Sequence, residues 1–146
     1  SLADDGLSML VSYRDSVKSI QSSKIYDWTD GNWIRRGESI RNGAMLSGNG
    51  LVVLVLPIKP DQDSCDSYGD DYYTGLSAFC LYEWTNSAWT PLGGPVGTAR
   101  NSRASISFNG KKLIVGEYDK GGSRGTLGPT NYGQIHTYSW NDVSWE

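Results

Sequence analysis

Tyr82-Glu83-Trp84-Thr85-Asn86-Ser87-Ala88-Trp89-Thr90-Pro91-Leu92-Gly93 decides the fold, because its aromatic frame occurs three times in the chain. The frame is Tyr-x-Trp, four intervening residues and a second Trp. Its copies are Tyr26, Trp28 and Trp33, then Tyr82, Trp84 and Trp89, then Tyr138, Trp140 and Trp145. The leading tryptophans at 28, 84 and 140 are each 56 positions apart, and the copies use all six tryptophans. Self-similarity at a fixed period marks a repeat protein, whose units bury their apolar faces against one another.

Working outward, each copy reads as a set of short strands. In the third, residues 103–108 alternate small and apolar side chains, Asn109-Gly110 marks a tight hairpin, and residues 112–118 supply a second strand. A Gly-rich stretch at 119–133 follows, then a strand at 134–140, a turn at 141–144 and a fourth strand starting at Trp145. The second copy repeats this with a strand up to Ser47, a turn at Gly48-Asn49-Gly50, strands at 51–56, 78–84 and 89–92, and a long loop before the third. The first has strands at 1–3, 7–13, 24–28 and 33–36. The expectation is an all-β, propeller-type array of three four-stranded antiparallel blades, with units at about 1–41, 42–98 and 99–146. The Asn-Gly turns at 49 and 109 are 60 apart, so loops of unequal length compensate between the tryptophan pairs.

Composition supports strands over helices and narrows the function classes. Eighteen glycines, nine tyrosines and a charged fraction of 20% suit turns and half-buried sheets. A net charge of −3 lacks the basic footprint of a nucleic-acid binder. The longest apolar run, 51–56, is far below the roughly 20 residues of a membrane span. The chain starts at Ser1 within the repeat pattern, which suggests a processed product or a fragment of a longer polypeptide. Because propellers typically close with roughly four to eight blades, three units should be completed by further blades or by other subunits.

The turn and strand stretches of this chain resemble the pattern S-x-S-x-D-G, roughly L-x-V-G, then G-x-I-x-Y-x-W-x4-W-x-x-L-G, of FG-GAP-like, integrin-type β-propeller repeats of surface and secreted proteins, including large multi-repeat proteins of algae and marine microbes. The stretch from Ser105 to Gly116, Gly133 to Trp140 and Trp89 to Gly93 carries the likeness most fully. The resemblance implies a propeller fold, an extracellular, secreted or cell-surface setting, and adhesion or protein binding. The Asp-rich calcium loop of that family, D-x-D-x-D-G, is replaced here by Ala3-Asp4-Asp5-Gly6, Ser47-Gly48-Asn49-Gly50 and Ser107-Phe108-Asn109-Gly110.

Three sets of residues are candidates for binding. The pairs Trp28 and Trp33, Trp84 and Trp89, and Trp140 and Trp145 either fasten hairpins and the space between blades or offer flat platforms for sugar rings, as in a lectin. Asp61, Asp63 and Asp66, in the acidic stretch 61–71, supply oxygen ligands of the kind Ca²⁺ prefers, and a Cys65–Cys80 bridge would hold that loop. Two cysteines alone leave the compartment open.

Catalysis has the least support. His136 is the only histidine and falls within a strand, and no nucleophile motif accompanies it. The turn from Trp28 to Trp33 resembles the structural Asp-box of sialidase-type propellers, the basis for a glycosidase-like reading. Arg35, Arg36, Arg41, Arg100 and Arg103 are expected to be solvated charges near blade ends. The sequence thus points to a non-catalytic binding or structural module, with a glycan-binding lectin as the alternative.

Overall fold

The computed structural model describes residues 1–14, 21–58, 65, 77–99, 103–117 and 134–146. These form eleven strands in antiparallel sheets, and no helix occurs among them. The first sheet contains β1 (Ser8–Arg14), β2 (Gln21–Thr29) and β3 (Asn32–Arg41). The second contains β4 (Ala44–Leu46), β5 (Val52–Ile58), β6 (Ser77–Thr85), β7 (Ala88–Pro91) and β8 (Val96–Ala99). The third contains β9 (Arg103–Ile106), β10 (Lys112–Glu117) and β11 (Gln134–Ser139). The Asp61, Asp63 and Asp66 candidates lie outside the described residues.

Turn chemistry sets the register. At Gly6, Gly50 and Gly110, with φ of 70°, 71° and 72°, a glycine in the left-handed region follows a turn closed by its own N–H. That bond runs to the carbonyl of Ala3, Ser47 or Ser107, each 3.0 Å away. Each turn sits in a four-residue loop, because the N–H of Ala3, Ser47 and Ser107 donates to the carbonyl of Ser8, Val52 and Lys112. In the first two Trp hairpins both central residues take positive φ, Asp30 with Gly31 and Asn86 with Ser87. Such two-residue loops match strand twist and bring Trp28 opposite Trp33 and Trp84 opposite Trp89.

The sheets depart from four even strands in a consistent way. The expected strand at 1–3 is reduced to a single bridge from Leu2 to Met9, and the strand starting at Trp145 to a bridge with Trp140. The second sheet gains β8, which continues along the same edge of β6 as β7. In the first sheet one long strand, β3, covers that ground through an irregularity between Ser23 and Ile25 of β2. The difference has a local cause: the second sheet carries Leu92-Gly93-Gly94-Pro95 at the break, and proline has no N–H to give to the ladder.

The second sheet is covered on both faces. Its Val53, Val55, Cys80 and Tyr82 pack with Leu10, Ile25 and Ile40 of the first sheet. Val52, Leu54, Phe79 and Leu81, of opposite parity, pack with Leu113 and Val115 of the third. Alternation along β5 and β6 therefore decides which neighbour each side chain meets.

Candidate functional site

Two of the three Trp pairs mark the places where one sheet meets the next. Their rings lie 5.3 Å apart at Trp28 and Trp33, 5.1 Å at Trp84 and Trp89, and 5.5 Å at Trp140 and Trp145, with interplanar angles of 62°, 55° and 49°. Tilted pairs at this spacing contribute about 0.5–1.5 kcal/mol beyond area burial. Each indole pair stands on the same face of its sheet as the tyrosine two residues before it. In the second and third sheets that face looks toward the preceding sheet.

There the pair closes over a glycine. A Cβ built on Gly37 would lie 2.6 Å from Trp84 Cζ3 and 3.3 Å from Trp89 Cδ1. On Gly93 it would lie 2.7 Å from Trp140 Cζ3 and 3.2 Å from Trp145 Cδ1. Both glycines take positive φ, 66° and 79°, and both follow the second Trp of their own sheet by four residues. Only a residue without Cβ allows the strand to approach this closely in that conformation. We call each such arrangement a seat: the glycine of one sheet under the Trp pair of the next.

The two seats are built from different chemistry. At the second, Trp145 Nε1 donates to the carbonyl of Leu92 at 2.8 Å. At the first, the position of Leu92 is taken by Arg36, whose side chain is 10% exposed. Its Nε donates to Asp27 Oδ2 at 2.7 Å, and Nη2 donates to Ser8 Oγ at 2.9 Å and to Asp27 Oδ1. Nη1 donates to the carbonyl of Gly50 on the second sheet. The guanidinium also lies 5.9 Å from each of the Trp84 and Trp89 ring centroids, within cation–π range. Arg36 is thus no solvated charge at a sheet end, as its place in the sequence suggests. It is a paired cation inside a joint.

Trp28 and Trp33 are the exception among the pairs. They are 44% and 39% exposed, and no glycine of the described residues lies under them. Of the three pairs, this is the one whose rings are open to an incoming ligand.

The remaining candidates are placed as follows. Cys65 and Cys80 are joined in a disulfide with Cα atoms 5.8 Å apart, and Tyr82 donates its hydroxyl to the Cys65 carbonyl. The three glycine turns that align with the calcium loop spend their side-chain oxygens locally. Asn49 Oδ1 accepts from Ser47 Oγ and Leu51 N, Asn109 Oδ1 from Ser107 Oγ and Lys111 N, and Asp5 Oδ1 from Leu7 N. His136 lies on β11 with its ring 6.4 Å from that of Tyr138. Among the described residues, no three His, Cys, Asp or Glu side chains come together as a metal site. No described helix is long and apolar enough to cross a membrane.

Sequence reasoning missed Gly37 and Arg36. The signal for the glycine was present, since Trp-x-x-x-Gly recurs at 33–37 and 89–93. No comparable signal marks Arg36, because its partners Asp27, Ser8 and Gly50 come from three other segments. Comparison with protein-family models, with curated proteins and with solved structures gives no match.

Proposed function

We propose that the chain is a non-catalytic binding and assembly module, a propeller-type segment that makes protein–protein or surface-adhesion contacts outside the cytosol. The observation that carries this reading is the seat. Trp pairs that face a preceding sheet are spent on holding it, so the repeated aromatic motif serves stacking of units, and the exposed Trp28 and Trp33 pair is free to take a further unit or a protein partner in the same way. The disulfide suits an oxidising compartment, and the FG-GAP-like motifs suit a ring of such sheets. Further sheets of a longer chain or other subunits are the partners expected.

A lectin is the second reading, favoured by the exposure of Trp28 and Trp33. A titration with a panel of oligosaccharides, followed by tryptophan emission, separates the two. The assembly reading expects no saturable change. Saturable quenching that disappears in Trp28→Ala would replace it with sugar binding at the open pair.

A further inference from the structure

We propose that the Cys65–Cys80 disulfide is a redox-sensitive lock on the first joint, the one between the first and second sheets. A dithiol reductant releases that joint and leaves the second, between the second and third sheets, closed. The lock concerns how the sheets are held together, and it stands whether the module binds a protein or a sugar.

Register places the bridge. Cys80 lies opposite Val55 on β5, as His136 lies opposite Val115 and Lys24 opposite Val11, so one equivalent site carries a cysteine in the second sheet alone. Val55 and Cys80 face the first sheet, and Cys65 is buried with them in the core that Leu10, Ile25 and Ile40 complete. The core of the second joint contains no cysteine, and the chain has only these two. Cys65 is held at two points, through its sulfur to Cys80 and through its carbonyl, which accepts from the Tyr82 hydroxyl. Tyr82 is the buried tyrosine of the repeated frame, and Trp89 of the Gly37 seat packs against the same core. The bridge and the glycine seat thus border one space.

Burial decides what a reductant can do. Cys65 is 3% and Cys80 0% exposed, so a thiolate reaches neither sulfur until the joint opens. Attack on one sulfur then breaks the S–S bond, and the other cysteine leaves as a thiolate that takes a proton. The second thiol of the reductant resolves the mixed disulfide, so its two electrons leave two cysteine thiols and an oxidised reductant. Two thiols need more room than a bridged pair, in a core where Val53, Val55 and Cys80 are fully buried, so the broken bond favours the open joint. The coupling is reciprocal: a bridge that favours the closed joint is itself protected, by the same factor, by whatever closes that joint.

The rate of reduction by dithiothreitol, with free thiols trapped by iodoacetamide, tests this in the intact chain and in variants of the two seats. Gly37→Ala loosens the first joint, through strain at positive φ and contact with Trp84, and should speed reduction about tenfold. Gly93→Ala loosens the second joint by the same means and should leave the rate within about twofold. Arg36→Lys and Trp145→Phe are the milder pair for the two joints, used where a glycine variant does not fold, and only Arg36→Lys should speed reduction. In the reduced chain the nuclear Overhauser contact of Gly37 with Trp84 should be lost and that of Gly93 with Trp140 kept, and reoxidation should restore the first. Equal acceleration by variants of both joints, or by neither, overturns the proposal. So does a Gly37 contact that survives reduction, and so does the loss of both contacts, which would make the bridge a staple of the whole fold.

Discussion

The joint between the first and second sheets is polar where the joint between the second and third is apolar, yet both are closed by a Trp pair over a glycine. At the first, Arg36 spends its donors on Asp27, Ser8 and the Gly50 carbonyl, and Trp89 Nε1 is buried without a hydrogen-bond partner among the described residues. At the second, Leu92 fills the same place and Trp145 Nε1 is satisfied by the Leu92 carbonyl. The comparison teaches that the glycine seat is the shared device, and that the residue before the glycine sets the chemistry around it.

The severest way to break both joints is to fill the seat. Gly93→Val should cost about 3–5 kcal/mol, from a β-branched residue at positive φ and from overpacking against Trp140. Gly37→Val should cost a similar amount, because Trp84 is as close there. Gly31, with φ of 82° and open space around it, is the control: Gly31→Ala carries backbone strain alone and should cost about 1 kcal/mol. Denaturant unfolding of the three variants measures the contrast.

Arg36→Leu copies the second joint into the first. It should destabilise by about 2 kcal/mol, because Asp27 is left unpaired, though one-third exposure softens the loss expected of a fully buried pair. Adding Asp27→Leu should recover most of it. The coupling in a double-mutant cycle is the quantity to measure, and additive losses would show that the ion pair does not act as a unit.

The indole N–H groups give a subtler contrast. Trp145→Phe breaks a hydrogen bond to a carbonyl, whereas Trp89→Phe removes a buried donor that makes none among the described residues. The first should cost about 1 kcal/mol more than the second by thermal or denaturant unfolding. Equal losses would mean that the two joints are alike in this respect.

The smallest effect belongs to the surface. Lys111 Nζ donates to Asp142 Oδ1 at 2.9 Å, and that hydrogen bond, followed by the attraction of the same carboxylate, raises the Lys111 pKa above 10.5. A raised amine pKa stabilises the fold below its unfolded value, and that contribution fades as pH climbs through the folded one. Asp142→Asn should therefore differ slightly from the unsubstituted chain at neutral pH and converge with it in strong alkali, as followed by melting temperature.

Much of this architecture was legible in the sequence because it is written in local terms. Asn49-Gly50 and Asn109-Gly110 announce their turns through the left-handed glycine they require, and Tyr-x-Trp with a second Trp announces a hairpin. The all-β class and the three sheets follow from those signals. What stayed hidden depends on pairings across long sequence distances. Leu2 and Trp145 give no sign that their strands shrink to single bridges, since that depends on which edges neighbouring segments occupy. Arg36 reads as surface charge until Asp27, 9 residues earlier, and Gly50, 14 later, converge on it. The division of labour among identical Trp pairs is equally invisible, because the exposure of each pair depends on which segment packs against that face of its sheet.

The glycine seat is tested most directly by proton NMR of Gly37 and Gly93. Their Hα resonances should be displaced by the ring currents of the indoles above them, with nuclear Overhauser contacts from Gly37 to Trp84 and from Gly93 to Trp140. Unperturbed glycine shifts, with no contact to either indole, would contradict the account of how these sheets are joined.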